Sequence, residues 1–188
     1  SGFVGLAICS KLVAAGHSVT VPTRLRDHAR NLFPLPSVTV VETDVYDAGA
    51  LARLASGMDA VINLVGVLNG DFERAHVALT QNAIAACKSA GVSRYLHMSA
   101  LGAAENGPSD YLKTKAKAEA VVRASGLDHT IFAPSVIFGR GDRFLNLFAQ
   151  VLGLAPAVAL GSPDARFQPI VWPGVETLRD IPVLDVRL

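Results

Sequence analysis

The sequence predicts an α/β fold: a doubly wound parallel sheet with helices on both faces, and a small, incomplete lobe at the carboxyl end. Three observations predict it. Apolar, β-branched runs alternate with helical stretches at regular spacing, a pattern that requires right-handed crossovers and parallel strands. The run "AVINLV" over 60–65 is apolar almost throughout, as a strand covered on both faces must be. The chain of 188 residues is 51% hydrophobic and only 18% charged, which supplies one well-cored domain rather than a disordered segment.

Along the chain, residues 3–15 have helical periodicity and stop at Gly16, a residue suited to the position just past a helix end. A strand over 18–21 is closed by Pro22, and a second β-branched run covers 38–41. Residues 48–55 form a short helix ending near Gly57, and 60–65 is the next strand. A long helix over 72–90 is stopped by Gly91, and the strand 94–98 follows. Ser109 or Asp110 caps a helix that runs to Gly126, after which 130–132 is a further strand. A helix opening at residue 3 with no strand ahead of it implies that the first strand of the sheet is missing from the sequence.

Composition narrows the function classes. A net charge of +1, with no run of Lys or Arg, gives no signal for nucleic acid. The histidines are scattered without ligand spacing, so no metal site is expected. Cys9 and Cys87 fall in helical segments and read as small buried hydrophobes in a reducing cytoplasm. The stretch 144–160 is the most apolar, but Asn146, Gln150, Gly153 and Pro156 interrupt it and it is too short to span a bilayer. Its positions 144, 145, 147, 148, 151 and 152 form a helical stripe that packs within the lobe, with a membrane-surface contact as the alternative. No signal-peptide pattern opens the sequence.

The chemistry-bearing residues cluster at strand ends. Gly2, Phe3, Val4 and Gly5 lead straight into the first helix. Glycine there lets the backbone approach a pyrophosphate, and the helix start offers free N–H groups and the positive end of its dipole. Alone the half-motif is weak; ahead of alternating strands and helices it points to a dinucleotide and a Rossmann-type sheet. The next strand ends in "VPTRLR", where an NAD site places a carboxylate on the ribose 2′-hydroxyl. This chain has Arg24 and Arg26 instead, which suits a 2′-phosphate. The expected cofactor is NADP(H), with NAD(H) as the second option. Asp44 and Val45 follow the next strand, where adenine is contacted. Leu64, Val65 and Gly66 end the one after, where glycine permits close approach. The NAD(P)-binding domain is set at 1–135 and the partial substrate lobe at 136–188.

In "DYLKTKAKAEA", Tyr111 and Lys115 are four residues apart and share one helix face. That face continues through Ala118, Val122 and Ser125, so the stripe is otherwise a buried one. A lysine beside a phenol favours phenolate and brings the tyrosine nearer the pH at which it exchanges protons. The plainer alternative is a Lys115–Glu119 ion pair with a packed tyrosine. Ser99, in "HMSALG" at the end of the preceding strand, is expected to reach the same substrate oxygen.

Gly2–x–x–Gly5, Ser99 and Tyr111–x–x–x–Lys115, in this order, resemble the short-chain dehydrogenases/reductases of the extended or atypical branch, the epimerase/dehydratase-like group. The stretch "YLKTKAKAEAVVRASGLDHTIFAPSVIFGRGDRFLNLF" closely resembles bacterial relatives of the NADPH-binding accessory subunit of respiratory complex I, most specifically over 134–146. The likeness covers about residues 1–168. It implies Tyr111 as general acid/base, Lys115 as the residue holding the nicotinamide ribose and lowering the tyrosine pKa, and Ser99 as orienting a substrate carbonyl. Pro134 and Ile137, in the matching segment, complete the cofactor contacts. The sequence departs from the family in lacking the first glycine and in carrying Ala133 where extended members often have a basic residue. Relatives also place several tens of residues near Trp172–Pro173.

Three readings follow. The chain is an oxidoreductase or nucleotide-sugar epimerase/dehydratase acting on an unidentified small molecule. It is an accessory or assembly protein that holds NADPH without turnover, on a respiratory complex or a membrane surface. Or it is a regulator that senses the NADP(H) pool. The expected location is cytoplasmic, peripheral at the inner side of the membrane.

Overall fold

The computed structural model describes residues 2–139 and the short segments Ile170–Val171 and Val186–Arg187. It divides into two compact units, Ser1–Ala133 with Val186–Leu188, and Pro134–Asp185. The first unit opens with α1 (Phe3–Ala14), β1 (Val19–Thr23), a 3₁₀ segment over Arg26–Leu32 and β2 (Val38–Glu42). It continues with α2 (Ala48–Ala55), β3 (Ala60–Asn63), a π-helical turn over Glu73–Ala78 that runs into α3 (Leu79–Ala90), β4 (Arg94–Met98), α4 (Asp110–Arg123) and β5 (Asp128–Phe132). In the second unit, β6 (Ile137–Phe138) and β7 (Ile170–Val171) pair in parallel, Ile137 opposite Ile170.

The ladders of the first unit are those of a Rossmann-type α/β fold. β1 pairs in parallel with β2, and β3, β4 and β5 form a parallel block that β8 (Val186–Arg187) closes with antiparallel pairing to β5. Among the described residues β1 and β3 share no ladder. Within each block the carboxyl ends of the strands fall on one edge, and the candidate residues lie there.

Local signals place the helices. Asp47 accepts the Ala50 N–H at the start of α2 (3.0 Å), and Ser109 accepts the Leu112 N–H at the start of α4 (3.3 Å). Gly91 ends α3 at φ +74, a conformation open to glycine at little cost. Side chains from α2, α3, α4 and the strands meet in one apolar cluster, with Ile84, Cys87, Tyr95, Val122 and Ile131 all buried. A second cluster joins Cys9 of α1 to Ala29, Leu32 and Val40. Both cysteines are buried and free, as expected.

Several boundaries differ from the sequence expectation. Pro22 does not close β1 but lies inside it, opposite Val41. Proline's φ suits extended backbone, and β1 has a neighbour on one side only among the described residues, so the absent N–H need not break a ladder bond. β3 stops at Asn63 rather than Val65, and the helix before α3 begins with a π-helical turn. The helical stripe expected over 144–152 lies outside the described residues.

Candidate functional site

The end of β3 is shaped by one polar side chain. Asn63 is 7% exposed. Its Nδ2 donates to Thr80 Oγ1 (3.2 Å) and to the Tyr95 hydroxyl (3.0 Å), while its Oδ1 accepts the Val65 N–H (3.0 Å). That last bond closes an Asx turn, so Leu64 and Val65 leave the ladder and Val65–Gly66 curl toward α4. There they meet Lys115. Its Nζ donates to the Val65 carbonyl (3.1 Å) and to the Met98 carbonyl (2.9 Å), so one ammonium ties the end of β3 to the end of β4. A Cβ on Gly66 would stand 3.4 Å from that amine. Lys115 is 2% exposed, and burial pulls its pKa down to about 8, with Glu119 opposing the shift.

Tyr111 lies one turn back on α4. Its ring is edge-on to His76 (5.3 Å) and Phe72 (6.1 Å), with Lys115 Nζ 6.0 Å from its centroid. Structure and sequence agree that Tyr111 and Lys115 share a face, and that this face is buried through Ala118, Val122 and Ser125. They disagree on acidity. Burial raises the Tyr111 pKa, and the ammonium is committed to two carbonyls rather than to the phenol oxygen. The resting phenol therefore keeps its proton and is a donor. The Lys115–Glu119 pair is not formed; Glu119 is occupied elsewhere.

That partner is Ser99, whose hydroxyl donates to Glu119 Oε1 (2.5 Å) while Arg123 holds the other carboxylate oxygen (2.8 Å). Glu119 is eight residues past Tyr111, about 12 Å along the helix. Ser99 continues the buried face of β4 set by Tyr95 and His97, and is itself 3% exposed. The Ser99 hydroxyl is thus held beside the second half of α4, and the structure does not bring it to Tyr111.

Sequence reasoning missed His76, which is 1% exposed. Its Nε2 accepts the Val67 N–H (3.3 Å), which leaves the ring proton on Nδ1, facing Thr114 Oγ1 at 2.9 Å. Thr114 in turn donates to the Asp110 carbonyl (2.8 Å). One imidazole thus fixes the loop after β3 against the first turns of α4. Burial, then the charge of Lys115, lowers its pKa to about 4. His97 is lowered to about 3 for the same reasons, and neither ring nitrogen finds a protein partner. The missed signal was the polar Asn63 inside the apolar run "AVINLV"; His76, in "ERAHVALT", has polar neighbours and gives no such contrast.

At the other end, Arg24, Asp44, Tyr46 and Arg74 line a cavity of about 600 Å³. The Arg24 side chain makes no hydrogen bond or ion pair among the described residues, whereas Arg26 turns its guanidinium onto the Phe33 ring (5.3 Å). Only Arg24 of the two arginines faces the cavity. Asp44 accepts the Tyr46 N–H (2.9 Å), and Val45 between them is half-buried. Gly2 caps α1 with no side-chain bond and no acidic residue in the first turn, and a Cβ placed on it would meet nothing within 4 Å. Gly5 is 4.0 Å from Leu64 by the same measure, so neither glycine is required by the protein's own packing. Phe3 and Val4 form the first turn between them. Pro134 and Ile137 belong to the second unit. Among the described residues no cluster suits a metal ion, and no helix is long and apolar enough to cross a membrane.

The family described as NAD(P)H-binding matches residues 1–142. The chain is 35% identical over 180 residues to NADH dehydrogenase [ubiquinone] 1 alpha subcomplex subunit 9, mitochondrial, of Mus musculus, covering 90% of this chain and 48% of that protein. It is 30% identical to a ceramide reductase of Caulobacter vibrioides, over 88% of this chain and 53% of the other. A UDP-glucuronic acid 4-epimerase of Bacillus cereus, solved with a UDP-sugar and NAD, shares the fold at a TM-score of 0.76 and 16% identity, covering 90% of this chain and 66% of the other. The chain spans about half the length of the curated relatives it matches.

The buried histidines set an acid limit on stability. Both are neutral when folded, with pKa values lowered from 6.5 to about 4 and about 3. Below pH 6.5 the unfolded chain binds more protons, so stability is complete above that pH and falls as the pH drops toward 4. The loss is up to about 1.4 kcal/mol per pH unit for each histidine. His76→Gln should flatten the pH dependence of the urea-unfolding free energy between about pH 4.5 and 6 by roughly half. An unchanged slope would show that His76 is not the neutral, buried group described.

Proposed function

The chain belongs to the NAD(P)H-binding family, in the atypical short-chain dehydrogenase/reductase group, and from that premise we propose that it binds NADP(H) in preference to NAD(H). The observation that carries the preference is Arg24: an exposed guanidinium, without a protein partner among the described residues, on the wall of a cavity at the carboxyl ends of β1 and β2. A 2′-phosphate gives it charge-assisted, bidentate hydrogen bonds that a free ribose cannot. The rest of the edge fits the same ligand. The uncapped start of α1 at Gly2 to Gly5 suits the pyrophosphate, and Asp44 with Val45 suits the adenine edge. Leu64, Val65, Gly66 and Lys115 suit the nicotinamide ribose. NADP(H) bound there supplies or accepts a hydride.

On the reaction, the retained pair supports an oxidoreductase or epimerase acting on a small carbonyl or alcohol, with Tyr111 donating the proton and Lys115 holding positive charge beside it. Burial keeps the Tyr111 phenol protonated but makes it a weaker acid, so the donor role rests on the Tyr111–Lys115 pairing and not on the pKa shift. A second reading is favoured by Ser99. Its hydroxyl is taken by Glu119, so a substrate oxygen at Tyr111 loses the orienting donor that the resemblance implied. On that reading the chain holds NADPH as a structural element of a respiratory complex, peripheral to the membrane.

Titration of both nucleotides at fixed salt tests the preference. NADPH should bind at least about tenfold more tightly than NADH, and Arg24→Ala should remove most of that gap by weakening NADPH alone. Because Arg26 is turned onto Phe33, its substitution should add little. Equal affinities in the unmodified chain would reduce Arg24 to a surface charge.

Tyr111→Phe separates the two readings. It should preserve fold and nucleotide affinity and lower any carbonyl reduction by about 10²–10⁴-fold if Tyr111 is the general acid. A measured rate that does not change removes Tyr111 from the chemistry. Full nucleotide occupancy with no turnover on a carbonyl and nucleotide-sugar panel puts the accessory reading first.

A further inference from the structure

We propose that Arg74, backed by the ring of Tyr46, is the platform on which the adenine of the bound nucleotide stacks; the proposal rests on the reading that this cavity takes the adenosine end. Arg74 lies in the π-helical turn before α3, and its Cζ sits 4.2 Å over the Tyr46 ring centroid. Both residues line the cavity that Arg24 and Asp44 also line. An exposed arginine flanked by carboxylates ordinarily pairs with one of them. Here the neighbours are engaged otherwise. Asp71 accepts the Arg74 backbone N–H (2.9 Å) and Glu73 pairs with Lys117, while the Arg74 guanidinium makes no hydrogen bond or ion pair among the described residues.

What is left is a planar cation whose Cζ lies 4.2 Å over an aromatic ring, with both residues on the wall of the cavity. That is the geometry of a half-built stack. A guanidinium plane attracts a second π-face electrostatically, and adenine offers one. The platform is also fixed from below. Asn82 of α3 donates to the Tyr46 carbonyl (3.2 Å), so the loop after β2 is tied to the helix that follows Arg74. Asp44, two residues before Tyr46, uses one carboxylate oxygen on the Tyr46 N–H and keeps the other for the exocyclic amine of a stacked adenine. Arg24 and Arg74 thereby divide the work. Arg24 distinguishes a 2′-phosphate from a hydroxyl, and Arg74 grips the base that NADPH and NADH share.

The test measures Kd for NADPH and NADH in the unmodified chain and in Arg74→Ala, Arg74→Lys and Tyr46→Leu. Arg74→Ala should weaken both nucleotides alike, by about threefold to thirtyfold. Arg74→Lys, which keeps the charge and loses the plane, should recover little of that loss, and Tyr46→Leu should weaken both by freeing the guanidinium. Affinities within about twofold of the unmodified chain in Arg74→Ala would overturn the platform. A loss confined to NADPH, recovered in Arg74→Lys, would overturn it too, by making Arg74 a second phosphate contact. Failure of the parent reading looks different: Arg24→Ala then leaves the two nucleotides with their original ratio, whatever Arg74 does. If neither nucleotide binds the unmodified chain, both proposals fall.

Discussion

Lys115 carries a positive charge into the seam between β3, β4 and α4, and the shape of the site follows from solvating that charge without water. An ammonium at 2% exposure needs acceptors, and the nearest are main-chain carbonyls at the ends of two strands. Val65 offers its carbonyl where Asn63 has turned the chain out of β3, and the amine lies against residue 66, where a Cβ would stand 3.4 Å away at ordinary contact distance. The same charge helps keep His76 and His97 neutral. A neutral His76 has a free Nε2 lone pair, and that lone pair fixes Val67. Remove the charge and the reasons for Asn63 and His76 weaken together.

The two ends of this edge are built on opposite principles. Around Lys115 the polar groups are buried, and Asn63, His76 and Thr114 each have partners within the protein, with His97 the exception. Around Arg24 they are exposed and left open, with two guanidiniums unpaired by carboxylates on the wall of one cavity. A matched network holds geometry and an open one awaits a ligand. This division is why the adenosine end supports the sharper statement about cofactor, while the chemistry end leaves two readings of turnover.

Much of the fold was legible because its signals are local. The alternation of strands and helices, α2, β4 and the stop at Gly91 follow from periodicity and caps that act within a few residues. Pro22 was misread as a boundary because proline's effect depends on which neighbours a strand has, and a single sequence does not show them. The site was legible by element but not by direction. Tyr111 and Lys115 were placed on one buried face from their spacing. Ser99 was expected at the same centre because it ends the preceding strand, yet its side chain shares the face of Tyr95 and His97 and meets Glu119. The apolar residues Leu96 and Met98 occupy the other face, so the alternation of polarity gave no warning. The direction of the Tyr111 shift was missed for a related reason. Proximity of lysine to tyrosine was read from spacing, while burial of the ring and capture of the ammonium by carbonyls are tertiary facts.

The central claim is that one nucleotide lies along the carboxyl edge, from the start of α1 through the Arg24 cavity to Val65–Gly66. Amide hydrogen exchange with and without saturating NADPH tests it most directly, because it reports the whole edge at once and does not depend on turnover. The account predicts slowed exchange over residues 2–6, 44–46 and 65–67, with the buried strands β4 and β5 little changed. Protection confined to other segments, or none at these three under saturating NADPH, would contradict it.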